Sequence, residues 1–396
     1  MQQPTSKDTN YLKLLKKAFR FILQRYQEFP HDAKVPSCFY PIEVAIIAAE
    51  KFRLGAKLIV CALLHSVLKD KKASELTLRQ EFGEEITSIV KGLTKVSGIS
   101  YSSSTNEFSN LKYVITRFTP NNLLIVLIKL AEYLHKMYGI EKLSWEKQAK
   151  LADEACRIYI PLAHNLGLNN VYLELEDLHL KFRHRIVYDS IVKKIRATKT
   201  SKVGFLERFA KQVYTAVQRA GIRCVIKGRT KSIASISSKI KDRGIKFEDI
   251  HDFYAIRVIF ESELGDEFSN CWSIYEAITG LYSVKINNLR DWISRPKGEG
   301  DGYEALHLTV QSHEEQWVEI QIRAKRMDNK AEYGDAAHWK YKSNNLGKEF
   351  NKMDTRWLER ARDYLIQNEQ KHQQNDISIS VNRIYVEGEL TETCLR

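Results

Sequence analysis

Residues 227–260, KGRTKSIASISSKIKDRGIKFEDIHDFYAIRVIF, decide how the fold is read. The stretch opens on Gly228 and Arg229 and passes into a helical pattern. Ile233, Ile236 and Ile240 recur at spacings of three and four, one apolar stripe of a helix. Lys231, Ser235 and Lys239 recur every four residues and form a second stripe. Gly244 is expected to end the helix as its C′ residue. Residues 253–260 are rich in β-branched and aromatic side chains and predict a strand, with Asp252 at its mouth.

A row of cations beside a helix start and a carboxylate suits a polyphosphate. Arg229 can fork onto two phosphate oxygens, and Lys231 and Lys239 add point charges. The free N–H groups of the first helical turn add partial positive charge. Asp252 can hold the Mg²⁺ that accompanies a nucleoside triphosphate. The competing reading is a solvated cationic helix face, the commoner fate of a charge run.

Outward from this stretch, 396 residues are enough for two or three domains. Lys and Arg number 62 against 49 Asp and Glu, a net charge of +13, which favours phosphate-bearing partners without choosing between nucleotides and nucleic acid. The six cysteines include no CxxC pair, which argues against zinc ribbons and redox motifs and for reduced thiols in a cytoplasmic protein. No apolar run approaches membrane length, and lysines interrupt the first apolar segment, so neither a membrane nor a signal peptide is expected.

Residues 10–196 follow helical periods almost throughout, with Pro30, Pro36 and Pro41 marking a turn region and residues 97–104 a serine-rich loop. The pattern changes at the polar residues 197–202. A helix over 203–220, strands near 224–226 and 253–260, and a helix over 268–281 follow. Residues 295–302 are a glycine-rich loop. Two segments then alternate with period two: Leu306, Leu308 and Val310 against Tyr303, His307 and Thr309, and Val318, Ile320 and Ile322 against Trp317, Glu319, Gln321 and Arg323. A hairpin centred near His313 would set His307 opposite Glu319 on one face. A half-polar face is ordinary in an antiparallel sheet. Here, however, it carries aromatic, imidazole, carboxylate and guanidinium groups after a loop with Arg295 and Lys297. Residues 327–342 predict a helix and 346–373 a polar helical connector.

Three blocks carry a resemblance: KGRTKSIASISSKI with DFYAIRVIF, then DWISRPKGEGDGYEALHLTV, then VEIQIRAKRMDNKAEYGDAAHWKYK. The chain resembles the RelA/SpoT-homologue family, the synthetases and hydrolases of the alarmone (p)ppGpp, over roughly residues 10–343. The resemblance implies an α+β multidomain fold: an all-helical HD-like domain over 1–196, then a nucleotidyltransferase-like mixed-sheet synthetase domain over 197–343. A connector over 344–374 and a short stub over 375–396, similar to the first strand of a TGS domain, complete the expected organisation. The implied reaction is pyrophosphate transfer from ATP to the 3′-hydroxyl of GTP or GDP. On matching positions, Arg229, Lys231, Ser235 and Lys239 would grip ATP, and Asp252 and Glu319 would hold Mg²⁺ and carry catalysis, Glu319 as base. Lys297, Tyr303, His307 and Gln321 would bind the acceptor, Tyr303 by stacking on guanine. The chain departs from the family at Asp301, where asparagine is usual, and at residues 288–291, which read NLRD.

The helical half is similar to the family's Mn²⁺-dependent HD hydrolase through LIKLAEYLHKM, IYIPLAHNLGL and ELEDL. Its ligand positions read Tyr40, His65-Ser66 and Glu132, with Lys69-Asp70 at the catalytic pair. Serine is a poor ligand and Lys69 a misplaced charge, so loss of Mn²⁺ and of hydrolysis is expected, with His65 a helix-face remnant. Residues 389–396 leave no room for a regulatory domain, which argues against ribosome or tRNA coupling of the chain as given. A homo-oligomer is compatible with the sequence. Two alternatives stay open: another acceptor such as a tRNA 3′ end, and a non-catalytic nucleotide-binding regulator.

Overall fold

The computed structural model describes residues 6–26, 39–52, 55–97, 120–197, 204–250, 252–297, 302–333, 360–361, 363–365 and 377–380. Its contacts divide the chain into two compact units, Met1–Arg185 with Trp339–Gln373 and Ile186–His338 with Gln374–Arg396. The division falls between residues 185 and 186, whereas composition places the boundary at the polar residues 197–202, so the helical residues 186–196 belong to the second unit.

The first unit is helical: α1 (Ser6–Arg25), α2 (Phe39–Phe52), α3 (Ala56–Leu64), α4 (Glu75–Ser97), α5 (Pro120–Tyr138), α6 (Trp145–Glu154), α7 (Ile160–Asn165) and α8 (Asn169–Arg183). Helix α5 is apolar on every side from Leu123 to Leu134 and runs through the core against α2, α3 and α4, as a helix without a polar face must. Only Lys129 and Glu132 interrupt that buried run. Pro41 lies in the first turn of α2, where its missing N–H leaves no bond unmade, and so does not mark the turn expected there. Pro30, Pro36 and most of the serine loop lie outside the described residues. None of the described helices is long and apolar enough to cross a membrane.

The second unit contains α9 (Arg185–Ala197), which begins at the division, then α10 (Phe205–Arg219), β1 (Cys224–Thr230), α11 (Ile233–Arg243), β2 (Tyr254–Phe260), α12 (Glu267–Thr279), β3 (Ser283–Val284), β4 (Arg290–Asp291), β5 (Leu306–Gln311), β6 (Trp317–Ala324), α13 (Lys325–Tyr333) and β7 (Ile377–Ser380). One mixed sheet runs β3-β5-β6-β2-β1-β7, with β4 also on β5. The β2–β6 and β1–β7 pairs are parallel and the others antiparallel. Residues 377–380, read from sequence as the start of a further domain, thus add a strand to this sheet; the rest of that stub is outside the described residues.

Period-two alternation gives the sheet two unlike faces. Ile226, Ile256, Val258, Leu306, Leu308, Val310, Val318, Ile320 and Ile322 form a core with α10 and α12. Phe205, Phe209, Val213 and Val217 supply the helical stripe from α10. Removing a side chain such as Phe209 from this core costs about 3–5 kcal/mol. The opposite face carries Lys227, Arg229, Ala255, Arg257, His307, Thr309, Glu319, Gln321 and Arg323, the odd-numbered positions of the same strands.

Candidate active site

The polar face is brought together by register. Across it, Arg229 of β1 pairs with Ala255 of β2, Ala255 with Glu319 of β6, and Glu319 with Thr309 of β5. One row further, Lys227, Arg257, Gln321, His307 and Arg290 align in the same way. Strands lie about 4.8 Å apart, so Arg229 and Glu319 sit about 10 Å from each other with only the methyl of Ala255 between them. The cations of β1 and the acid of β6 therefore border one surface.

At one end of that surface Ser232 caps α11, its Oγ accepting from Ser235 N–H at 3.2 Å and donating to Ser235 Oγ at 2.7 Å. Gly244 ends the helix at φ 62°, as expected. The four-residue stripe is only partly helical, because Lys231 precedes the cap. Its N–H donates instead to Phe253 O at 2.8 Å, joining the end of β1 to the start of β2. Lys231 Nζ and Lys239 Nζ still converge, at 2.9 and 2.8 Å, on Asp252 Oδ2. Burial of Asp252 opposes ionisation, but the charges and hydrogen bonds of the two lysines outweigh it and hold the carboxyl down at about 2. Asp252 Oδ1 is buried with no hydrogen-bond partner among the described residues.

At the other end, His307 Nδ1 lies 3.0 Å from Glu319 Oε1 and His307 Nε2 lies 2.7 Å from the Tyr303 hydroxyl. Arg323 donates to that hydroxyl and, at 3.2 Å, to Gln321 Oε1. Burial again opposes ionisation of Glu319, yet the His307 hydrogen bond brings its carboxyl below the usual range; Asp252 pushes the other way. Burial lowers His307, keeping the ring neutral against the pull of Glu319. The hairpin keeps the expected face but not the expected register. Its turn holds Glu315 at φ 61° and closes through Ser312 N–H to Gln316 O, so His307 pairs with Gln321 and reaches Glu319 diagonally. A two-residue slip preserves the face because side chains alternate with period two.

The acceptor-side residues are drawn together by a backbone bridge. Lys297 and Tyr303 exchange two N–H···O bonds of 2.9 Å. A Cβ on Gly302 would stand 2.9 Å from Lys297 O, so only glycine fits there. Asp301 is outside the described residues. Trp292, absent from the sequence reading, packs edge-on against both Tyr303 and His307. Arg290 and Lys297 lie over its ring at 5.6 and 5.2 Å. Arg323 lies over the Tyr303 ring at 4.8 Å.

The chemistry of Asp252 and Glu319 fits a hard divalent cation: two ionised carboxylates within electrostatic reach, one with a buried oxygen lacking any hydrogen bond among the described residues. The helical unit differs. Tyr40, His65 and Glu132 meet, but Lys129 Nζ forms an ion pair with Glu132 Oε2 at 2.5 Å, and His65 Nε2 lies 3.3 Å from Oε1. Tyr40 donates to Oε1 at 3.3 Å. Burial works against ionisation of Glu132, but the Lys129 charge and His65 hold the carboxyl far below the usual range. Ser66 does not join this group; it bonds the Tyr26 hydroxyl, which also donates to Asp70. His65 follows α3 as its C-cap and is buried, so it is a core residue rather than one on a helix face. These residues do not fit Mn²⁺, since an ammonium group neutralises the one carboxylate.

The chain thus joins a helical unit to a mixed sheet that gathers cations and paired acids on one face. Residues 228–346 match the family described as "Region found in RelA / SpoT proteins", and residues 18–169 match an HD domain. The chain is 32% identical over 335 residues to a GTP pyrophosphokinase of Myxococcus xanthus, covering 84% of this chain and 43% of that protein. It is 30% identical over 332 residues to the bifunctional (p)ppGpp synthase/hydrolase SpoT of Escherichia coli strain K12, covering 84% of this chain and 46% of that one. Residues 228–346 thus carry the region found in RelA / SpoT proteins, and the chain spans less than half the length of these curated relatives.

Proposed function

We propose that this protein is an ATP-dependent pyrophosphokinase that makes (p)ppGpp from GTP or GDP and releases AMP. The observation that carries the reading is the shared row: the Lys231–Asp252–Lys239 cluster and the Glu319–His307–Tyr303 chain border one face of one sheet. Two nucleotides can lie side by side there, one on the cations and one on the aromatic side.

Phosphoryl-type transfer is mostly positioning and charge neutralisation. Arg229, Lys231, Ser235 and Lys239 would hold the ATP phosphates, the lysines exchanging Asp252 for phosphate oxygens. Asp252 and Glu319 would hold Mg²⁺, whose charge offsets that of the polyphosphate. Glu319 takes the proton from the acceptor 3′-hydroxyl as general base. Tyr303 stacks on guanine, and Lys297, His307 and Gln321 line the acceptor side. The helical half acts as a scaffold without hydrolase activity, since Lys129 and Ser66 replace the chemistry a metal site needs.

Incubating the full chain with ATP, GDP and Mg²⁺ tests this. ppGpp and AMP are expected in equal amounts. Nucleotide binding without AMP release, or transfer of label to an acceptor other than a guanine nucleotide, overturns it.

A further inference from the structure

Arg323 and Asp328 belong to no role given above, yet both are buried, Arg323 against the Tyr303 hydroxyl and Asp328 against Arg323. Asp328 stands in the first turn of α13, where free helix N–H groups favour a carboxylate. Its Oδ1 accepts from Arg323 Nη1 at 3.1 Å and from Arg257 Nη1 at 2.9 Å, with Lys227 Nζ 4.0 Å from Oδ2. Arg323 is thereby fixed and reaches the Tyr303 hydroxyl with its other nitrogen.

The hydrogen bonds that follow run in one direction only. A guanidinium donates and never accepts, so the Tyr303 oxygen is the acceptor. The phenolic proton then turns to its other neighbour, His307 Nε2, 2.7 Å away. That nitrogen accepts, so the neutral ring carries its proton on Nδ1, facing Glu319 Oε1 at 3.0 Å. The other end of the chain requires the same arrangement, because an ionised carboxylate can only accept.

We propose that Arg323, anchored by Asp328, sets the tautomer of His307 through the Tyr303 hydroxyl and so fixes the orientation of Glu319. Arg323 and Asp328 are positioning residues. His307 ties down one carboxylate oxygen, and the second is left for Mg²⁺ and the acceptor hydroxyl. With the opposite tautomer, a bare Nδ1 lone pair would face the carboxylate and turn it away. The role in turnover rests on the pyrophosphokinase reading; the tautomer does not.

The test uses the full-length chain with ¹⁵N-labelled histidine and no nucleotide, the His307 signals being assigned by their loss in His307→Gln. The expected spectrum is that of the Nδ1–H tautomer. Tyr303→Phe keeps the ring and its packing and removes only the hydroxyl. It should lose the fixed tautomer and lower kcat by about 10- to 100-fold, while KM for the acceptor stays within roughly threefold. Arg323→Gln should reproduce both changes. An Nε2–H tautomer in the wild type overturns the proposal, as does an unchanged kcat in Tyr303→Phe. Absence of ppGpp from the wild type overturns the reaction itself and the turnover role with it, so the two failures are distinct.

Discussion

Glu132 in the helical unit and Asp252 in the sheet unit are both carboxylates clasped by basic side chains, and they differ in access to water. Glu132 is 8% exposed at its side chain, with Lys129 and His65 at 3% each. Asp252 is 23% exposed, with Lys231 and Lys239 at 22% and 20%. Inside a closed core no outside charge can replace Lys129, so the pair is part of the structure. On the open sheet face an arriving anion can take the lysines and leave Asp252 to a cation. The same charge arithmetic thus gives a structural clasp in one place and a binding site in the other.

The largest effect expected is on Glu319, which acts only on the open side of this comparison. Glu319→Gln should lower ppGpp formation by about 10²- to 10⁴-fold, measured by product analysis, with an unchanged unfolding midpoint; full activity would remove it as the base. Next is the closed clasp. Lys129→Met should destabilise the helical unit by about 3–5 kcal/mol in denaturant titration, because the buried Glu132 loses the ammonium that balances its charge. The double variant Lys129→Met with Glu132→Leu should recover most of that loss, since no orphaned charge remains. If the single variant is as stable as wild type, the two clasps are not different in kind.

The matching change on the open side, Lys239→Met, should cost about 1 kcal/mol or less in stability but raise KM for ATP by about 10-fold, as loss of a charge-assisted contact implies. The smallest effect concerns pH. Glu132 titrates below its ordinary 4.5 in the folded state, so its contribution is complete above that pH and fades as pH falls further. The stability gap between wild type and Glu132→Gln should therefore stay level above pH 4.5 and narrow below it. A gap that widens on acidification would mean that Glu132 is not held ionised.

Much of this was legible locally. The lysine stripe and the Gly244 stop were visible in residues 227–260, as was the strand that follows. The faces of β5 and β6 followed from alternation alone, and the family motifs named the acids and the aromatic. The one-residue misplacement of Lys231 relative to the helix arose because Ser232, the better cap, lies just after it. The hairpin centre was misjudged because a left-handed Glu315 leaves no compositional sign. Trp292 reads in sequence as one more apolar residue of a mixed segment, and only its packing against Tyr303 and His307 sets it apart.

The periodicity of side chains is a property of neighbouring residues, which is why sequence alone determined the helices and strands and the two unlike faces of the sheet. Lys129 and Glu132 stand three residues apart on one helix, a spacing that reads as an ordinary surface ion pair; only the packing of α5 into the core shows that the pair is buried. Likewise Arg323 and Asp328 look like ordinary surface charges five residues apart. Only the tertiary structure sets them against Tyr303, because which distant strands pair, and in which register, depends on how the whole apolar face is buried.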